Sequence, residues 1–155
     1  MSEINPLWSR RRMIGLGTAA VVTGGAVFGA RWFNVTARND SGTLTPRQAY
    51  DRAAAGELML VDIRRPDEWA LTGIGQGAHP LDMRREDFAA ALGRLVQGDP
   101  VRTVALICAR GVRSRHMTRQ LRDREFDSVL DVPEGMLGSG AGPGWIKRDL
   151  PVVQA

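Results

Sequence analysis

Two short stretches constrain the fold of this chain more than any others. Leu58-Met59-Leu60-Val61-Asp62-Ile63 and Thr103-Val104-Ala105-Leu106-Ile107 are apolar at nearly every position. A strand with one face in water alternates apolar and polar residues, so a continuous run reads as a strand covered on both faces. Each run leads into a helical pattern, one opened by Pro66 and running through Trp69 and Leu71, the other from Val112 to Glu125. Strands alternating with helices imply an α/β fold with a parallel sheet and helices on both faces. Thr45-Pro46 starts an earlier helix, with a hydroxyl cap and proline at the first helical position, and Gly56 ends it after about Ala55. Ala78 to Leu81 and Ser128 to Leu130 are short strands, and Asp82 to Leu95 has helical spacing. Gly73 to Gly77 reads as a loop, and the Gly-rich tail from Pro133 to Pro151 has Trp145 and Leu150 as anchors.

The amino terminus is of a different kind. Arg10-Arg11-Arg12 precede an uncharged run from Met13 to Ala30, the order of a secretory signal. Ser9-Arg10-Arg11-Arg12-Met13-Ile14 resembles the twin-arginine export motif, and Val35-Thr36-Ala37 offers small residues for cleavage before Arg38. Uncleaved, the eighteen residues 13–30 would span roughly 27 Å, enough for a membrane anchor. Residues 1–37 are therefore expected to be a signal peptide or an anchor, residues 38–43 a linker and residues 44–155 the folded domain. That domain is expected in the periplasm, exported or held facing it from the inner membrane, with the export machinery as a partner.

The net charge of +4 suggests no nucleic-acid partner. Four arginines and one glutamate lie before residue 38, leaving 17 basic and 16 acidic residues in the rest, a near-neutral domain. Cys108 is the one cysteine, so no internal disulfide forms. With only His79 and His116 as further soft ligands, neither a metal site nor a cofactor is expected.

The chemistry concentrates where the second apolar strand ends. Cys108 stands at its carboxyl end, and Ala109-Arg110-Gly111-Val112-Arg113-Ser114 turn the chain into a helix. In open α/β sheets ligands bind at that crevice. A loop curling there can turn several backbone N–H groups inward, and the following helix adds its positive end. Such a cradle favours an anion, first the Cys108 thiolate and then an oxyanion or a terminal sulfur above it. Arg110 and Arg113 add charge at the rim. His116 lies two helical turns from Cys108, too far to act as its base.

At this point the chain resembles the rhodanese family of sulfurtransferases. Cys108-Ala109-Arg110-Gly111-Val112-Arg113-Ser114 matches the family's C-x-x-G-x-R-S loop. Val61-Asp62-Ile63-Arg64-Arg65-Pro66-Asp67-Glu68-Trp69 matches its V-D-x-R-x-x-x-E-[FW] signature. Glu134-Gly135-Met136 through Gly144-Trp145 to Leu150-Pro151-Val152 matches its closing pattern. One departure is Gly73-Ile74-Gly75-Gln76-Gly77-Ala78, which lacks the histidine of the usual G-H-I-x-G-A. The resemblance implies a rhodanese-like domain with a central parallel sheet of about five strands. It implies that Cys108 attacks the outer sulfur of a small anionic donor such as thiosulfate, carries it as a persulfide and passes it to cyanide or a thiol. Arg113 would bind the donor or brace the loop. Asp62 is a supporting candidate, orienting Arg113 or the loop amides, while Arg64 and Glu68 are expected to form a structural ion pair.

Two rivals fit less well or differently. The phosphatases of the same fold resemble H-C-x-x-x-x-x-R, whereas here Ile107 precedes the cysteine and the arginine comes one position sooner. A shorter loop encloses a smaller pocket, better suited to sulfur than to phosphate. A persulfide carrier, loaded by a partner without turnover, needs the same cradle as an enzyme and stays open as the alternative.

Overall fold

This computed structural model describes residues 42–96, 102–124, 126 and 128–154 of the chain. The address expected over residues 1–37, and residues 38–41 of the linker, lie outside the described residues. Gly42 and Thr43, read as linker, are tied to the domain: Thr43 bridges to Asp131, and the Asp131 N–H donates to the Gly42 carbonyl at 3.0 Å.

Helix α1 (Pro46–Ala54) starts as its sequence dictates. Thr45 and Gln48 form a reciprocal capping box, and Pro46 occupies the first helical position. Strand β1 (Met59–Asp62) leads to α2 (Pro66–Thr72), β2 (Ile74–Gly75) and β3 (Ala78–Pro80). There follow α3 (Phe88–Leu95), β4 (Val104–Ile107), α4 (Val112–Arg122), β5 (Val129–Val132), α5 (Gly144–Lys147) and β6 (Val152–Val153).

The main sheet has four strands in the order β3-β1-β4-β5, all parallel, where about five were expected. A separate antiparallel pair, β2 with β6, accounts for the difference. The stretch read as a loop from Gly73 to Gly77 thus contains a strand, too short to carry a periodic signal. Its glycine is there for contact: a Cβ on Gly75 would lie 2.8 Å from the Trp145 ring. Helix α3 begins at Phe88, later than its sequence pattern suggested. Residues 82–87 instead form turns held by Arg84 on Asp82 and Arg85 on Asp87.

Each face of the sheet is covered. Met59, Val61, Ile63, Val104, Leu106, Cys108 and Val129 pack with Phe88, Leu92, Met117 and Leu121 of α3 and α4. Leu58, Leu60, Ala105, Ile107 and Val132 pack with Ala49, Met136, Trp145 and Leu150 on the other side. Successive strand residues therefore face opposite cores, which is why both apolar runs lack alternation. Trp145 is fully buried and donates its ring N–H to the Pro151 carbonyl at 3.0 Å, which fixes the tail to the sheet.

Candidate active site

Strand β4 is the third strand of the sheet, buried along its whole length, and it delivers Cys108 just past its carboxyl end. Cys108 is 1% exposed. Two backbone donors converge on its sulfur, the N–H of Gly111 at 3.2 Å and the N–H of Ser114 at 3.4 Å. The thiol in turn donates to Ser114 Oγ at 3.5 Å. Two amides thus turn inward onto the sulfur, and such donors favour negative charge there. The amides of Val112 and Arg113 lie in the first turn of α4, where the helix offers no internal acceptor.

The arch is held in shape from below. Met136 N–H donates to the Cys108 carbonyl at 2.8 Å and Leu137 N–H to the Ala109 carbonyl at 2.9 Å. Gly111 caps α4 at φ +78°, and a Cβ there would stand 2.0 Å from the Pro133 carbonyl oxygen. No other residue fits that position. The underlying segment is itself fixed by buried Glu134, which accepts from Gly144 N–H and receives both arms of Arg148. Burial pushes the Glu134 carboxyl up, and these donors together bring it below its ordinary value.

Asp62 is not the partner of Arg113. Its carboxylate is fully buried and is gripped by Arg64, whose Nη2 lies 2.7 Å away and whose Nε contacts both oxygens. Arg64 also reaches the Gly73 carbonyl and Thr72 Oγ1, each at 2.7 Å, so this pair locks the end of α2 to β1. The expected Arg64–Glu68 ion pair does not form; Arg64 meets only the Glu68 backbone carbonyl, at 3.4 Å. Glu68 faces the loop instead and clamps Arg113 through two bonds of 2.6 and 2.7 Å. Hydrogen bonding from Arg113 is the chief reason that the Glu68 carboxyl is lowered from 4.5 to about 2. The same contact raises Arg113, which also feels the charge of Cys108.

Of the two rim arginines, Arg113 is therefore a brace. Arg110 meets the Gly138 carbonyl at 3.5 Å and has no carboxylate partner among the described residues. Beside the clamp, an open depression of about 490 Å³ is lined by Arg65, Glu68, Met83, Arg84 and Arg113. Its charges are balanced locally, by Asp67 on Arg65 and Asp82 on Arg84. Val112, the first residue of α4, stands 75% exposed, and His79 and His116 lie exposed away from the sulfur's contacts. Glu68 and Arg113 stood in two separate matched motifs, with nothing to say that they pair. Charge pairing across 45 residues leaves no trace in spacing.

Residues 45–138 match the rhodanese-like domain family. A search of curated proteins finds no match. Among solved structures, the chain is similar to the polysulfide-sulfur transferase homodimer from Wolinella succinogenes, with a TM-score of 0.57 at 22% identity over 84% of this chain and 93% of that one. It is similar to the rhodanese-like domain of an Anabaena protein, with a TM-score of 0.59 at 15% identity over 74% of this chain and 80% of that one. A third, from Rhodopseudomonas palustris, is described as of unknown function and a possible tyrosine phosphatase. It gives a TM-score of 0.54 at 23% identity over 72% of this chain and 83% of that one. At these identities the likenesses establish the fold.

Proposed function

The chain belongs to the rhodanese-like domain family, and from that premise we propose that it transfers a sulfane sulfur through a persulfide on Cys108. The observation that carries this is the convergence of the Gly111 and Ser114 amides on the Cys108 sulfur. The thiolate attacks the outer sulfur of a small anionic donor such as thiosulfate. A new S–S bond forms on Cys108 while the donor's S–S bond breaks, its electron pair leaving on sulfite. The persulfide's outer sulfur is then attacked by cyanide or a thiol, and the Cys108 thiolate returns. The amides favour negative charge at both stages and need not reorganise between them. Arg110 is the cation for the donor's oxyanion end, because Glu68 occupies Arg113. The short loop supports sulfur over phosphate, since the arginine that would wrap a tetrahedral oxyanion is turned onto a carboxylate. The proposal also keeps the domain outside the cytoplasm, exported or anchored, on the strength of Arg10-Arg11-Arg12 and the uncharged run after them.

Intact-protein mass after incubation with thiosulfate tests the chemistry. The expected result is a gain of one sulfur, removed by cyanide as thiocyanate, and no gain in Cys108→Ser. Undiminished transfer in that variant overturns the assignment. Repeated turnover marks an enzyme, and a single loading that only a protein partner discharges marks a carrier.

A further inference from the structure

The solvent face of α4 carries charge for which sulfur loading as described has no use. Ser114, Met117, Thr118 and Leu121 turn inward, which leaves Val112, Arg115, His116 and Arg119 exposed. Their spacing of i, i+3, i+4 and i+7 sets them in one stripe, about 10 Å long from first to last. On other surfaces of the domain, arginines are neutralised at close range. Arg47 meets Asp51, Arg65 meets Asp67, Arg84 meets Asp82, and Arg85 and Arg94 share Asp87. Along the stripe, Arg119 meets no carboxylate among the described residues. Arg115 has only Asp131, at 4.0 Å, with 59% of its own side chain in solvent. Asp123, at the far end of the helix, is the one acid between Arg110 and Arg124.

Helix stability does not account for this charge. Cations near the positive, N-terminal end of a helix are unfavourable, and α4 has Arg113 and Arg115 in its first turn with no acid among them. Loading does not account for it either, since a small donor needs only the two amides on the sulfur and Arg110. Position supplies the link to the chemistry. Arg115 follows Ser114, and Val112 follows Gly111, the two residues whose amides meet the Cys108 sulfur. The stripe therefore starts beside the sulfur and runs away from it along the helix. An exposed apolar side chain followed by unmatched cations fits an acidic protein surface better than a single small anion.

We propose that this stripe docks an acidic protein whose thiol accepts the sulfur from Cys108. Carboxylates of the partner meet Arg115 and Arg119, and Val112 takes an apolar contact next to the loop. The partner's thiol gives its proton to water, and the resulting thiolate attacks the outer sulfur of the persulfide. A new S–S bond forms on the partner while the bond from Cys108 to that sulfur breaks. The electron pair of the broken bond returns to Cys108 as its thiolate. The inference rests on the sulfur-transfer reading above and names the class of acceptor.

The full chain, first loaded with thiosulfate, is mixed with synthetic peptides in which a cysteine is flanked by glutamates or by lysines. The gain of sulfur on each peptide is timed by mass. Each peptide is compared only across variants, which cancels the different acidity of its thiol. In Arg115→Gln with Arg119→Gln, transfer to the glutamate peptide is expected to slow about tenfold at low salt. Transfer to the lysine peptide should not slow, and transfer to cyanide should be unchanged. Arg119→Glu alone leaves the Asp131 contact in place and is expected to slow the glutamate peptide and speed the lysine one. Salt at about 1 M should erase these differences. Arg47→Gln with Arg94→Gln removes the same charge away from α4 and is expected to alter neither peptide. Equal slowing in that control, or no slowing in either α4 variant, overturns the proposal. So does retention of the parent chain, and not of the α4 variants, by anionic phospholipid vesicles with peptide transfer unaltered, which would give the face to a membrane. A chain that takes no sulfur from thiosulfate overturns the underlying reading, and this one with it.

Discussion

Asp62–Arg64 and Glu68–Arg113 share their chemistry and differ in their access to water. The first pair is 0 and 1% exposed; the side chains of the second are 20 and 32% exposed. The buried pair joins residues two apart and fastens α2 to β1, while the open pair reaches 45 residues along the chain to hold the loop. Neither charge of a buried pair can lose its partner cheaply, because no water replaces it. At the open pair, solvent covers much of any loss. Burial thus separates an ion pair that maintains the scaffold from one that can govern the shape of the loop without endangering the fold.

The sharpest way to break this contrast is Arg64→Leu. It strands a fully buried carboxylate and removes the donors to Gly73 and Thr72. A loss of about 3–5 kcal/mol is expected, read from urea unfolding. A loss under about 1 kcal/mol would show that Asp62 finds water after all, and the distinction would fail. Gly111→Ala comes next, since it forces a Cβ into the Pro133 carbonyl at positive φ. A cost of about 1–3 kcal/mol is expected, with sulfur loading by mass abolished. Arg113→Ala sharpens the comparison from the open side. Stability should change by less than about 1 kcal/mol, while loading slows about tenfold as the loop loses its brace. Equal damage from Arg64→Leu and Arg113→Ala would erase the difference.

The smallest effect is a pH dependence. The folded value of the Glu68 carboxyl, about 2, lies below its ordinary 4.5. Its contribution to stability is therefore complete above about pH 4.5 and disappears as pH falls toward 2. Solvent exposure keeps that contribution to about 1 kcal/mol or less. Urea midpoints across this window should fall less steeply in Glu68→Gln than in the parent chain.

The strands of the main sheet and the position of Cys108 were legible because they depend on local signals: unbroken apolar runs, a proline after a hydroxyl, a glycine after a cysteine. The loop could be read as far as its sequence runs. Its partners could not, because Glu68 meets Arg113, and the Pro133 carbonyl meets Gly111, only after the sheet has ordered its strands. Asp62 illustrates the limit. A strand-end aspartate near an active loop invites a role there, yet the arginine two residues on takes both its oxygens. Strands β2 and β6 escaped because two residues carry no period, and the pairing that defines them spans most of the domain.

The Pro133 carbonyl against Gly111, and the Met136 and Leu137 amides beneath Cys108 and Ala109, act on the arch as a mould acts on a casting. An extra residue in the arch would have nowhere to go while that mould stays as it is. Enlarging the site for a bulkier anion therefore requires two distant stretches of sequence to change together, and insertion at the loop alone should yield a misfolded rim instead of a new specificity.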